Sequence, residues 1–404
     1  MAVRNRPDAG GELTLSMRWR ARHHAPPRPC THRTGLTVSY ERRNIREMQG
    51  YTWGEQPQDA DTLKLNTNEN PYPPGPAVAA ALQAFDITRL RRYPPPLADD
   101  FRDAAAAVHG VTREHIVVTH GGDELLRLAL TTFLDPGVPL GVLEPSYSLY
   151  PVLAQIQDCP LAKVQLDPDY QPPADTVARW NAAGSTLAMV VNPHAPSGTL
   201  LRAEVLEAMA GAFRGVLLID EAYVDFVDPA HGYDAVTLAQ RLPNVLLLRT
   251  LSKGYSLAGL RFAYGIGNPE LLAPIVNKTR DSYNMDTLAQ ALATAAMRDQ
   301  AYASGTWLRV RAERDRLDAA LSNLGLVAPP SESNFLLVTV PGYWALGARA
   351  VYEQLKSAGI LVRYFAHTGL ADKLRITVGT PEENDRLLAA LGALAGQPSR
   401  GTGA

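Results

Sequence analysis

From Ile116 onward the sequence repeats one pattern: a short apolar run rich in β-formers, a polar loop, then residues at helical spacing. The runs are Ile116–Thr119, Leu140–Leu143, Leu161–Leu166, Leu187–Val191, Val216–Ile219, Val245–Leu248 and Phe262–Ile266. Helical patterns such as Glu124–Phe133 and Ala203–Phe213 separate several of them. Strands that are apolar along their whole length need cover on both faces. The chain is therefore expected to be α/β, with a mainly parallel seven-stranded sheet between helices. Ligands of such sheets gather beyond the carboxyl ends of the strands, and candidate residues are sought there.

The rest of the chain arranges itself around that block. Residues 1–43 carry seven arginines among prolines and histidines between Arg4 and Arg33, without apolar periodicity, and read as a disordered basic tail. An organellar transit peptide or sequence upstream of the working start would look similar. Residues 44–75 form an N-terminal arm containing a short strand and the proline-stiffened stretch Asn70-Pro71-Tyr72-Pro73-Pro74. The large domain is expected over 76–290. A long helical stretch, Thr287–Leu324, leads out of it. A smaller α/β domain over 291–395 follows, with strands at Asn334–Val340, Ile360–Arg363 and Leu374–Val378 and helices at Ala345–Ala358 and Glu382–Leu394. Residues 396–404, rich in Gly and Ser, read as a flexible end.

Composition narrows the partners. With 39 basic and 41 acidic residues, the chain as a whole offers no electrostatic case for nucleic acid or a membrane surface. No apolar run approaches the ~20 residues of a membrane span. Two cysteines, Cys30 and Cys159, cannot build a disulfide framework or a cysteine zinc site, which suits a reducing cytoplasm. Small-molecule chemistry is the expectation that is left.

Three strand ends carry residues suited to it. Val245–Leu248 runs into Arg249-Thr250-Leu251-Ser252-Lys253 and then a glycine-punctuated segment ending at Arg261. Burial lowers a lysine's pKa and makes its amine a nucleophile able to form a Schiff base. A snorkelling lysine is the plain alternative. Ile116–Thr119 is followed by His120-Gly121-Gly122-Asp123-Glu124 at a helix start, a cradle for a phosphate or simply a capped turn. Val216–Ile219 ends at Asp220-Glu221-Ala222-Tyr223, a buried acid needing a cationic partner, whether structural or functional. Lys253 lies one strand–helix–strand unit after Asp220, so adjacent strand ends can bring the two into one cleft. An acid, a lysine, a phosphate cradle and Arg261 together suit pyridoxal phosphate: its aldehyde takes a lysine, its ring nitrogen an acid, its phosphate the cradle.

At this point the chain, from about Asn44 to Leu394, resembles the fold-type I pyridoxal-phosphate aminotransferases, and among them the histidinol-phosphate aminotransferases. The resemblance rests on Leu65-Asn66-Thr67-Asn68-Glu69-Asn70-Pro71, Arg92-Tyr93-Pro94, Gly121-Gly122-Asp123-Glu124, Pro145-Ser146-Tyr147 and Asp220-Glu221-Ala222-Tyr223. It continues through Arg249 to Lys253, Ala258-Gly259-Leu260-Arg261, Ser333-Asn334-Phe335 and Leu374 to Gly379, in order and at matching spacing. It implies a transaminase in which Lys253 holds the cofactor as a Schiff base, Asp220 pairs with the ring nitrogen and Tyr223 hydrogen-bonds the phenolate oxygen. The phosphate would rest on Gly122 and Asp123, with Thr250, Ser252 and Arg261, while Tyr147 stacks on the ring. Tyr93 resembles the residue that reaches the neighbouring subunit's phosphate, which implies a homodimer. Arg375 resembles the clamp for a substrate carboxylate, Arg363 a weaker substrate contact, and Asn70 and Tyr72 further substrate-binding candidates. The implied reaction takes histidinol phosphate and 2-oxoglutarate to imidazole acetol phosphate and glutamate, in histidine biosynthesis.

One stretch departs from the family pattern. His194-Ala195-Pro196-Ser197-Gly198 stands where Asn-Asn-Pro-Thr-Gly is usual, and Ala195 cannot donate to the phenolate oxygen. His194 or Tyr223 must serve instead. An aromatic-amino-acid aminotransferase and a threonine-phosphate decarboxylase are alternatives within the same fold. A cofactor-binding regulator domain would need a helix-turn-helix that residues 1–40 have no pattern to form, and a dinucleotide-binding enzyme would need a Gly-x-Gly-x-x-Gly after a strand.

Overall fold

All seven apolar runs become strands of one sheet in the computed structural model, which describes residues 39–395 except 58, 60 and 368. The strands of the chain are β1 (Leu63–Lys64), β2 (Ile116–Thr119), β3 (Leu140–Glu144), β4 (Leu161–Gln165), β5 (Leu187–Val191) and β6 (Val216–Asp220). They continue as β7 (Val245–Thr250), β8 (Ala263–Gly267), β9 (Phe335–Thr339), β10 (Ile360–Leu361), β11 (Arg363–Tyr364) and β12 (Lys373–Thr377). The large sheet has the order β2-β8-β7-β6-β5-β3-β4. Only β8 runs antiparallel to its neighbours, β2 and β7. The expected basic tail lies outside the described residues as far as residue 38, as do residues 396–404.

Alternation along the central strands explains why they are apolar throughout. Leu217, Ile219 and Leu247 face one apolar cluster, with Phe101, Trp180 and Leu206 from covering helices. Leu218, Leu246 and Leu248 face another, with Leu125, Leu126 and Leu153. Period-two side chains therefore find a helix layer on either side.

The C-terminal part carries a second, antiparallel sheet, β11-β12-β9. Its apolar face (Leu336, Val338, Leu374, Ile376) packs with Val351, Leu355, Leu387 and Leu391 from the helices Ala348–Ser357 and Pro381–Ala395. Leu63 and Leu65 belong to the same cluster, because β1 pairs in parallel with β10. Thr377 N then donates to Leu65 O at 3.0 Å, which fixes the segment 65–70 alongside β12.

The continuous helix expected over Thr287–Leu324 is in fact two, Thr287–Arg298 and Gln300–Asn323. Asp299 leaves helical geometry (φ −95°, ψ 57°), and its carboxylate accepts from Tyr302 N at 3.3 Å. A short acid that caps the next helix competes with continuation of the previous one. Apolar periodicity runs through the break and hides it. Among the described residues, no helix is long and apolar enough to cross a membrane.

Candidate active site

The carboxyl ends of β6 and β7 open into a cleft of about 400 Å³, closed on its other side by the segment 66–68 and by β11 and β12. Asp220 ends β6 and is paired in register with Leu248 of β7. Three residues beyond Thr250, the last of β7, the chain presents Lys253 into the same cleft. Adjacent strand ends thus bring the acid and the lysine together.

Asp220 is almost fully buried, and burial raises its pKa from 3.8 to about 6. Two donors oppose that shift: Ala222 N reaches Oδ1 at 3.2 Å and the Tyr150 hydroxyl reaches Oδ2 at 3.0 Å. Lys253 Nζ donates to Thr67 O at 2.9 Å. Burial, and then the positive charge of Arg375, lowers its pKa to about 8. An amine so placed exists partly neutral near physiological pH, as a nucleophile or proton acceptor must.

At the far end of the cleft the helix Gly122–Phe133 begins with Gly121 at φ +77°. The free N–H groups and positive end of a helix favour an anion. Arg261 stands over this turn, 3.6 Å from the Asp123 carboxylate, and a Cβ on Gly121 would lie 2.6 Å from its Nη2. Thr250 and Ser252 join it, with Ser252 N donating to Thr250 Oγ1 at 3.1 Å. Gly122, Asp123, Thr250, Ser252 and Arg261, the residues that the resemblance implies for a phosphate, all line the cleft.

Tyr147 lines the cleft, and burial raises its pKa strongly, keeping the phenol neutral. Tyr223 lines it too and is buried, with Asn68 Nδ2 donating to its hydroxyl oxygen at 3.0 Å. That contact leaves the Tyr223 proton free to be donated elsewhere. Arg375 enters from β12, where it stands opposite Arg363 of β11. Arg375 Nη2 donates to Asn66 O at 3.1 Å, and the guanidinium lies over the rings of Phe335 and Phe365. Among the described residues its buried Nε meets no hydrogen-bond partner, and neither does Ser146 Oγ.

Four expected residues do not line this cleft. His194 is buried with both ring nitrogens engaged, Nδ1 with Ser197 Oγ at 2.7 Å and Nε2 with Pro145 O at 2.8 Å. Burial lowers its pKa to about 4, so it is a neutral structural clip, while Ala195 beside it faces the cleft. Asn70 sits behind the lysine loop, its Nδ2 donating to Gly254 O at 3.3 Å. Tyr72 lies under the Arg309 guanidinium at 3.8 Å. Tyr93 is 81% exposed and stacks on Tyr283 with centroids 4.6 Å apart. Sequence reasoning missed Asn68 and Tyr150. Tyr150 had one available signal, its place three residues after Tyr147 on a helix start.

These residues fit pyridoxal phosphate. A glycine cradle closed by Arg261 suits its phosphate, a buried acid its ring nitrogen, and a lysine of lowered pKa its aldehyde, while the unpartnered Arg375 Nε suits an anionic substrate. The fold and site thus define a pyridoxal-phosphate enzyme of the aminotransferase kind. Residues 60–391 match the family described as "Aminotransferase class I and II", and the chain belongs to it, within its histidinol-phosphate aminotransferases. Histidinol-phosphate aminotransferase 1 of Trichormus variabilis is 43% identical over 88% of this chain and 98% of its own length. The histidinol-phosphate aminotransferase of Syntrophotalea carbinolica is 39% identical over 87% and 98%. Among solved structures, the Sinorhizobium meliloti histidinol-phosphate aminotransferase in complex with pyridoxal-5'-phosphate superposes with a TM-score of 0.81 at 27% identity, covering 89% of this chain and 98% of the other. The chain is accordingly a transaminase that uses pyridoxal phosphate.

Proposed function

We propose that this transaminase moves the amino group of histidinol phosphate to 2-oxoglutarate, giving imidazole acetol phosphate and glutamate in histidine biosynthesis. The relatives' shared name supports the donor. The observation that supports the reading is a pair of arginines, Arg375 and Arg363, that are cross-strand partners and both line the cleft. Two facing guanidiniums, one buried with an unused Nε, are costly until an anion joins them. A donor bearing a phosphate and an acceptor bearing carboxylates both supply one.

Bound pyridoxal phosphate supplies an aldehyde that takes up the amino group and a cationic ring that withdraws electrons from the bonds at Cα. The chain's own residues do the rest. Asp220 would balance the charge on the ring nitrogen, and Tyr223, its own oxygen satisfied by Asn68, would donate to the phenolate oxygen. Ala195 offers no side-chain donor there, so Tyr223 carries that contact. Lys253 Nζ accepts the Cα proton, a task its lowered pKa suits. Arg375 and Arg363 orient the substrate's anionic end.

The homodimer belongs to the same reading. Leu82, Ile87, Leu90, Tyr93 and Tyr283 are large apolar residues left exposed, a surface that a second copy of the chain would cover. The reducing cytoplasm fits Cys159, a buried free thiol. A substrate panel tests the function: histidinol phosphate, phenylalanine and threonine phosphate, each with 2-oxoglutarate. A kcat/KM for histidinol phosphate well above that for phenylalanine is expected. Preference for phenylalanine, or release of carbon dioxide from threonine phosphate, would overturn it.

A further inference from the structure

Among the described residues, Tyr150 is the fully buried tyrosine whose hydroxyl touches the acid of the site. It belongs to the helix Leu149–Gln157, and Tyr147, two residues before that helix, lines the cleft; the two rings meet edge-on at 5.5 Å. Tyr150 N donates to Tyr147 O at 3.1 Å, so one turn of backbone holds both rings. Each oxygen of Asp220 then has one donor, a backbone N–H on Oδ1 and the Tyr150 hydroxyl on Oδ2. The phenol cannot serve any other acceptor while it makes this bond.

We propose that Tyr150 is a positioning residue for the cofactor: its hydroxyl, donating to Asp220 Oδ2, keeps that buried carboxylate ionised and aimed so that it pairs with the ring nitrogen of pyridoxal phosphate. The inference rests on the role assigned to Asp220 above. An acid in this place is useful only as the anion, since a neutral carboxyl cannot hold the ring nitrogen protonated. The surroundings work against the anion. Desolvation disfavours it, and the carboxylates of Asp123 and Glu221 add repulsion. The tyrosines Tyr147 and Tyr223 face Asp220 as neutral phenols held so by burial. The donors of Tyr150 and Ala222 are what lower the Asp220 pKa, and only Tyr150's can be removed by substitution. Burial, and then Asp220 itself, keeps the Tyr150 phenol protonated, so it stays a donor over the working range.

Y150F removes the hydroxyl and keeps the ring. The test titrates coenzyme-free protein with pyridoxal phosphate, read by absorbance, from one pH unit above neutrality to one below, for wild type, Y150F, D220N and the double variant. Loss of a hydrogen bond to a charged group predicts about tenfold weaker coenzyme binding in Y150F, with the deficit growing as pH falls because Asp220 protonates earlier. In the D220N background the same change should have little effect. A Y150F affinity equal to wild type, or a deficit equal at every pH and equally present beside D220N, would overturn the role of Tyr150. Unchanged coenzyme affinity in D220N itself would instead overturn the assignment of Asp220. Thermal unfolding of coenzyme-free Y150F, expected to match wild type within a few degrees, separates binding from folding.

Discussion

Arg363 and Arg375 stand directly opposite each other across β11 and β12, and both line the cleft. Like charges in that relation destabilise a strand pair unless something answers them. Here Phe365 lies within cation–π reach of both guanidiniums, and one contact to the Asn66 carbonyl holds Arg375 in place. An incoming anion completes the arrangement. Arg375→Ala should therefore lower kcat/KM about a hundredfold for donor and acceptor alike, in keeping with the 2–5 kcal/mol typical of a truncated buried charge contact. Arg375→Lys should recover little, because a point charge cannot replace the planar fork. Steady-state kinetics with both substrates checks this, and an effect confined to one substrate would divide the two arginines between them.

Lys253 makes a pH prediction with a definite sign. Its pKa is lowered to about 8, by burial first and then by Arg375, whereas Glu69 acts to raise it. In the proposed reaction the neutral amine accepts the proton, so turnover should fall as pH drops through about 8. Glu69→Gln removes the carboxylate that favours the charged amine, so the acid limb should move to lower pH. Lys64, which pairs with Glu69, reinforces that direction once freed, since its charge lowers the Lys253 pKa. A kcat–pH profile of the variant shifted upward, or not at all, would contradict this account.

Gly121 stands at φ +77° and ψ 165°, and a Cβ there would press against Arg261 Nη2. That backbone region is essentially confined to glycine and costs another residue about 1–3 kcal/mol. Moving Arg261 would also loosen the anion cradle. Gly121→Ala is expected to weaken pyridoxal phosphate binding about tenfold, an amount matched to that strain. KM for the amino donor should change less, because Arg363 and Arg375, the arginines proposed to hold substrate, belong to β11 and β12. Equilibrium dialysis of the coenzyme, beside donor kinetics at saturating coenzyme, separates the two effects.

What could be read in advance follows from how locally each feature is encoded. Asp220 and Thr250 are polar residues closing apolar runs, so their place at strand ends was legible, and with it the meeting of acid, lysine and cradle. Tyr150 touches Asp220 from 70 positions away, and Asn68 touches Tyr223 from 155. Neither contact has a local pattern. Asn68 also adopts φ 56°, a left-handed conformation unusual without glycine, and is held there by Thr377 and Asn334 of the C-terminal sheet region. Only the folded chain brings those groups together. His194 failed as a cleft residue for a similar reason, since the groups that capture its ring, Pro145 O and Ser197 Oγ, were not visible as partners in the sequence.

Next to Asp220 in the chain, Glu221 belongs to a buried ion pair that gives the last prediction. Arg249 Nε donates to Glu221 Oε2 at 2.6 Å, and the Tyr233 hydroxyl donates to Oε1 at 2.8 Å. The Glu221 side chain is wholly inaccessible and that of Arg249 only 14% exposed. Glu221 N also donates to Leu248 O at 2.9 Å, which continues the β6–β7 ladder past Asp220. Removing one member of such a pair strands the other charge, at a cost of about 3–5 kcal/mol. Replacing both by apolar residues of similar volume is often nearly neutral. Glu221→Met should accordingly destabilise coenzyme-free protein by about 3–5 kcal/mol in denaturant unfolding, and adding Arg249→Met should recover most of the loss. Because the ladder bond comes from the backbone, the double variant should still bind pyridoxal phosphate. A double variant as unstable as the single one would mean that the pair's charges are themselves needed to hold the strand ends beneath Asp220.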